Sequence, residues 1–150
     1  VADPDDDGDG FSDAQELADG TNPKSRFSCA LCPFSFDVDD SQAAQPLTDG
    51  LLVIRHLFGF SGDALTAGAV AGLAGRAASE DITVFLTDAD AELDIDGNGK
   101  SEPLTDGLLL IRYLFGFSGE ALISGAIGSG AERNTAEAVE AYIEARVPLQ

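Results

Sequence analysis

The chain has 150 residues, 44% of them hydrophobic, enough to bury one modest core, and carries a formal net charge of −19 from 27 acids against 8 Lys and Arg. That balance excludes a nucleic-acid partner, because phosphate binding needs clustered basic side chains to release counterions, and it disfavours anionic membrane surfaces. No run of 18 apolar residues occurs, so membrane insertion is not expected, and the opening Val1-Ala2-Asp3-Pro4 leads to the expectation that any export signal has already been removed.

Residues 1–26 are almost devoid of large apolar side chains apart from Phe11 and Leu17, so a hydrophobic core cannot hold them. They carry instead a twelve-residue acidic loop. Ca²⁺ takes six to eight hard oxygens, supplied in such a loop from positions 1, 3, 5, 7, 9 and 12, with Gly at 6 for the sharp turn. Asp5, Asp7, Asp9, the Phe11 carbonyl, Asp13 and Glu16 fill those positions, and Gly10 stands at the sixth. A calcium-stapled arm over 1–26 is expected. Residues 27–36 form a bridge whose Phe27, Phe34 and Phe36 are expected to pack on the domain C-terminal to it. The bridge also holds Cys29 and Cys32. Their spacing suits a local disulfide or free or intermolecular thiols; a zinc site would need two further Cys or His ligands.

From Asp37 onward the chain is duplicated. Residues 37–86 align without a gap on 94–143 at an offset of 57, with 24 of 50 positions identical. Each copy reads as an acidic loop followed by a helix. Leu47, Leu51, Ile54 and Phe58, repeated as Leu104, Leu108, Ile111 and Phe115, have the three-and-four spacing of one buried helical face. Gly59 and Gly116 are placed to end these helices. A second helix is expected in each copy, around Ile82, Phe85 and Leu86 behind Ser79, and around Val139, Tyr142 and Ile143 behind an Asn134–Glu137 capping box. Strand-like alternation is absent, so the fold class is all-α: two pseudo-symmetric loop-helix repeats over 37–150, preceded by the calcium arm.

The two repeat loops are the remaining metal candidates. In copy two, Asp94, Asp96, Asn98, the Lys100 carbonyl and Glu102 fall at positions 1, 3, 5, 7 and 9, with Gly99 at the sixth. Asp106, the closing acid, falls at position 13, so one residue must be looped out for it to reach the ion. Copy one keeps Asp37, Asp39 and Asp49, with Ser41 and the Ala43 carbonyl at the intermediate positions, but has Gln42 where Gly99 stands. Gln42 must adopt a turn that glycine makes easily, which predicts weaker binding. The three windows Asp5–Glu16, Asp37–Asp49 and Asp94–Asp106 hold 14 of the 27 acids, and such clustering calls for a counter-ion. Two to three Ca²⁺ ions are expected, since Mg²⁺ is poorly served by all-protein cages.

At Asp94 to Leu114 the sequence resembles the loop-plus-helix repeat of type I dockerins, extracellular modules that bind cohesin domains. Asp3 to Pro23, ending in Gly20-Thr21-Asn22-Pro23, is similar to a bacterial thrombospondin type 3 repeat. The loops here are one residue longer than the dockerin pattern, and each copy carries a second helix. The resemblance implies a secreted or cell-surface chain whose partner is a cohesin-like domain, with a surface such as Leu57, Phe60, Leu114 and Phe117 facing it. The alternative is a calcium-stabilised structural subunit that assembles with its own copies into a homo-oligomer or fibre. No enzyme is expected: carboxylates at ligand spacing are not free for proton transfer, and His56, the only histidine, has Tyr113 as its counterpart. Arg55 and Arg112 recur at matching positions, which suggests ion pairing with a loop or a partner-facing role, and ion pairing is the reading preferred.

Overall fold

The computed structural model describes residues 34–148 and Ala14. The expectations for Asp5, Asp7, Asp9, Phe11, Asp13 and Glu16, and for Cys29 and Cys32, lie outside the described residues.

Among the described residues there are six α-helices and no strand, in keeping with an all-α chain. Copy one runs through a π-helical turn at Pro46–Gly50, α1 (Leu51–Leu57), α2 (Asp63–Thr66) and α3 (Ser79–Asp88). A 3₁₀ turn at Asp90–Leu93 leads to copy two. There a second π turn at Pro103–Gly107 precedes α4 (Leu108–Leu114), α5 (Glu120–Ile123) and α6 (Ala136–Glu144).

Local chemistry accounts for these boundaries. Proline fixes φ at the first position of each π turn and forces the residue before it to be extended, as seen at Gln45 (ψ 147°) and Glu102 (ψ 142°). The turn then closes one residue wider than an α-helix: Gly50 N–H donates to Gln45 O at 3.1 Å and Gly107 N–H to Glu102 O at 3.2 Å. At the far ends, Gly59 (φ +90°) and Gly116 (φ +93°) take the left-handed conformation. Gly59 N–H reaches His56 O and Phe60 N–H reaches Arg55 O, both at 2.9 Å, and Gly116 and Phe117 repeat the pair on Tyr113 and Arg112. This is the Schellman cap, which satisfies the last helical carbonyls. The cap of α6 is Thr135, whose hydroxyl accepts Ala138 N–H at 3.2 Å. It is not the expected Asn134, because the helix begins at Ala136 and Glu137 therefore sits one residue too early to close a capping box.

The expected buried stripe is out of phase with the structure. Leu52, Val53, Leu109 and Leu110 are fully buried, whereas Leu47 (59% exposed), Phe58 (52%) and their counterparts Leu104 and Phe115 face outward. The π turn inserts a residue between Leu47 and the helix proper, so i and i+4 no longer share a face there, and Phe58 belongs to the cap. Leu51 and Ile54 are half-buried. Ile54 lies against the other copy: a Cβ added at Gly107 would meet Ile54 Cγ1 at 2.9 Å, and one at Gly50 would meet Ile111 Cγ1 at 3.2 Å. Glycine at these two positions lets each helix approach the opposite π turn.

The bridge phenylalanines that are described belong to the core. Phe36 is fully buried and Phe34 is 6% exposed. Phe34 makes an edge contact with Phe36 and stacks on Phe85 of α3. The two ends of the described chain meet where Phe36 N–H donates to Arg146 O at 2.7 Å. Beside that junction the Tyr142 ring lies between the guanidinium groups of Arg133 and Arg146, at 4.1 and 3.6 Å. Tyr142 donates its hydroxyl to Glu92 O, and Arg146 pairs with the Glu92 carboxylate, each at 2.7 Å, fastening α6 to the 3₁₀ turn.

Candidate metal centres

Each acidic loop wraps its own closing carboxylate. In copy one, Asp49 sits in the π turn and its Oδ1 accepts Val38 N–H at 2.6 Å and Asp39 N–H at 3.2 Å, while Oδ2 accepts Gln45 N–H at 2.8 Å. In copy two, Asp106 accepts Asp96 N–H at 3.1 Å and Glu102 N–H at 2.8 Å. The extra residue of each loop is therefore absorbed by the π turn, which carries the thirteenth position back to the loop mouth.

The first acid of each loop takes amides from the turn. Asp37 accepts Ser41 N–H (3.0 Å) and Gln42 N–H (2.8 Å), and Asp94 accepts Asn98 N–H (3.1 Å) and Gly99 N–H (2.9 Å). The turn requires positive φ at two residues. Copy two uses Gly97 (+71°) and Gly99 (+89°), whereas copy one forces Asp40 (+55°) and Gln42 (+77°) into the same region. That conformation is costly for a residue with a Cβ.

Asp37, Asp39 and Asp49 each offer one carboxylate oxygen such that all lie within 4.8 Å of one another, and Asp94, Asp96 and Asp106 do the same. Asp39, Asp49, Asp96 and Asp106 are fully buried. Burial pushes Asp49 and Asp106 up to about 6; amide hydrogen bonds pull the other way, and the neighbouring Asp39 and Asp96 carboxylates push further up. Asp37 and Asp96 are raised as well, again chiefly by burial. Three carboxylates packed this closely out of water oppose ionisation unless a cation joins them. The donor set is oxygen alone, which fits a hard divalent ion and not zinc or copper.

The remaining candidate ligands are placed as follows. The Ser41 hydroxyl lies 3.4 Å from Asp37 Oδ1 and donates to the Ala43 carbonyl at 3.2 Å. Asn98 Oδ1 accepts Lys100 N–H at 2.9 Å, beside the carboxylates. Glu102 is exposed, and it is its backbone N–H that meets Asp106.

Several residues that shape the centres were not singled out by the sequence. Ala71 N–H donates to Asp39 Oδ2 at 2.8 Å and Gly128 N–H to Asp96 Oδ2 at 2.7 Å, each from 32 residues away. Arg76 donates to Val38 O at 2.6 Å, and Arg133 donates to Ile95 O at 2.6 Å and Asp94 O at 2.7 Å, pinning the loop backbones. Arg76 and Arg133 are identical at the repeat offset, a signal that could have found them. Arg55 and Arg112, expected to form ion pairs, instead donate to the carbonyls of Leu65 and Ala67 and of Leu122 and Ser124, at 2.8 to 3.1 Å. Those carbonyls at the ends of short helices lack helical partners, so a guanidinium satisfies them.

Among the described residues, the fold and the site together define an all-α body with two oxygen-only acidic centres suited to a hard divalent ion. Residues 5–25, which include the first acidic loop, match the family described as the bacterial TSP3 repeat. Repeats of this type bind calcium and are usually extracellular, which agrees with a calcium-binding character for the chain. No helix among the described residues is long and apolar enough to cross a membrane. Comparison with curated proteins finds no match, and neither does comparison with solved structures.

Proposed function

We propose that the chain is an extracellular, non-catalytic calcium-binding module that docks or anchors a protein at the cell surface, built from two dockerin-like loop-helix repeats behind a calcium arm. The observation that carries this reading is the pair of Asp triads, Asp37–Asp39–Asp49 and Asp94–Asp96–Asp106, each with two fully buried members, whose oxygens converge without a counter-charge from any side chain in the triads. In each centre the three carboxylates hold Ca²⁺, assisted by Ser41 and the Ala43 carbonyl in copy one and by Asn98, the Lys100 carbonyl and Glu102 in copy two. The ion supplies the positive charge that lets the buried carboxylates ionise together, so binding is coupled to folding.

Docking is supported by apolar side chains left uncovered at matching places in the two copies. Leu47, Phe58 and Phe60 are 48–59% exposed, and Leu104, Phe115 and Phe117 are 48–61% exposed. Phe58 and Phe60, with ring centroids 6.4 Å apart, form the start of such a surface, whereas the expected Leu57 and Leu114 are half-buried against the core and contribute less; exposed apolar groups of this size favour a protein partner, here one resembling a cohesin domain. A non-catalytic role is supported by the engagement of the loop carboxylates with backbone amides, as in Gln45 N–H on Asp49 and Glu102 N–H on Asp106, both at 2.8 Å.

Sedimentation of the full chain in calcium and in EGTA tests the docking part. A monomer in both conditions that binds a cohesin domain only with calcium supports it. Calcium-dependent self-association would replace it with the structural reading, a subunit of a fibre or stalk.

A further inference from the structure

The π turn that carries each closing acid packs against a helix of the other copy. Asp49 and Asp106 are immediately followed by Gly50 and Gly107, and those glycines are the contact points between copies: Ile111 of α4 lies over Gly50, and Ile54 of α1 lies over Gly107. The spacing leaves no room for a side chain, since a Cβ at Gly107 would fall 2.9 Å from Ile54 Cγ1. Both glycines are buried within helical backbone (φ about −60°), so their role is close approach and not an unusual conformation. The π turns that carry the closing acids close one residue wider than an α-helix, with Gly50 N–H on Gln45 O at 3.1 Å and Gly107 N–H on Glu102 O at 3.2 Å, a rare geometry in helices.

We infer that Ile54 is a positioning residue for Asp106 and Ile111 a positioning residue for Asp49, so that each isoleucine governs calcium binding in the copy to which it does not belong. This rests on the calcium reading above. Ile54 presses on the Gly107 backbone and holds the second π turn where Asp106 reaches Asp94 and Asp96. Ile111 does the same for the first turn, Asp49, Asp37 and Asp39. Filling one centre fixes its π turn and thereby seats the isoleucine that supports the other, so the two centres bind cooperatively. Coupling of this kind amounts to about fivefold or more in affinity.

The test is a calcium titration of the full chain followed by NMR at two amides, Gln42 for the first centre and Gly99 for the second, both of which bond to a loop carboxylate. Ile54→Ala is expected to raise the calcium midpoint at Gly99 by about fivefold or more, and by a larger factor than at Gln42. Ile111→Ala is expected to give the opposite pattern. Far-UV circular dichroism at saturating calcium checks folding, and Ile54→Val and Ile111→Val, which remove one terminal carbon, serve if the alanine variants do not fold. Equal shifts at both amides, or the larger shift in the isoleucine's own copy, would overturn the inference while leaving the calcium reading intact. A wild-type chain whose two amides ignore calcium would overturn the calcium reading itself, and this inference with it.

Discussion

Replacing Gln42 with glycine isolates the difference between the two centres. Gln42 sits at φ +77°, and its counterpart Gly99 at φ +89°. The left-handed conformation costs a residue with a Cβ about 1–2 kcal/mol, and glycine returns about 0.5–1 kcal/mol of this through the greater freedom of its unfolded chain, leaving a net gain on the order of 0.5–1 kcal/mol. Little is lost with the side chain: Gln42 Nε2 makes one exposed bond to Asp40 Oδ1 at 3.2 Å, and the backbone N–H bond to Asp37 is kept. If the first loop opens without an ion, the gain shows as calcium affinity, about two- to fivefold at the first centre. If the loop stays closed, it shows as a rise of about 1–4 °C in Tm of the metal-free chain. Calorimetric titration and thermal melts of the same sample read both. The converse change, Gly99→Ala, is a clean control, because no atom lies within 4 Å of the added Cβ. Its cost is backbone strain alone, and it is expected to weaken the second centre. A Gln42→Gly chain with neither a tighter first centre nor a higher Tm would refute the reasoning.

The pH dependence has a definite sign. Asp49 and Asp106 have folded pKa values of about 6 against 3.8 when unfolded, so between these values the metal-free native state holds more protons than the unfolded one. The metal-free chain should lose stability as pH rises from about 4 to 6, by on the order of 3 kcal/mol per carboxylate. Calcium competes with those protons, so the gap in Tm between calcium-loaded and chelated samples should widen as pH rises through 6; a gap independent of pH would contradict the burial argument. Phe36→Ala, at a fully buried ring, should cost about 3–5 kcal/mol in denaturant melts, and a loss under 1 kcal/mol would remove Phe36 from the core. Arg133→Met should weaken the second centre more than the first, because it frees the Asp94 and Ile95 carbonyls; equal weakening, read by calcium titration, would show that the guanidinium does not hold the loop.

Much of the fold was legible because the duplication displays the same loop and helix twice. A residue type shared at the repeat offset, such as Pro46 and Pro103 or Gly59 and Gly116, marks a backbone requirement, and the structure meets those requirements with π turns and Schellman caps. The phase of the helices was not legible. A three-and-four pattern assumes 3.6 residues per turn, and the π turn breaks that assumption at the point where Leu47 and Leu104 would otherwise face inward. The closing acid at position 13 and the outward stripe have one cause. Contacts from far along the chain were also hidden: nothing local to Ala71 or Gly128 says that their amides meet a carboxylate 32 residues earlier. Gln42 was the reverse case, where the departure from glycine announced the strain directly.

The central claim is that these acidic turns are calcium cages, and titration calorimetry of the chelator-stripped chain with CaCl₂ tests it most directly. Binding of at least two ions is expected, with one of them lost on Asp94→Asn combined with Asp96→Asn. An absence of binding at millimolar calcium, or a stoichiometry unmoved by those substitutions, would contradict it.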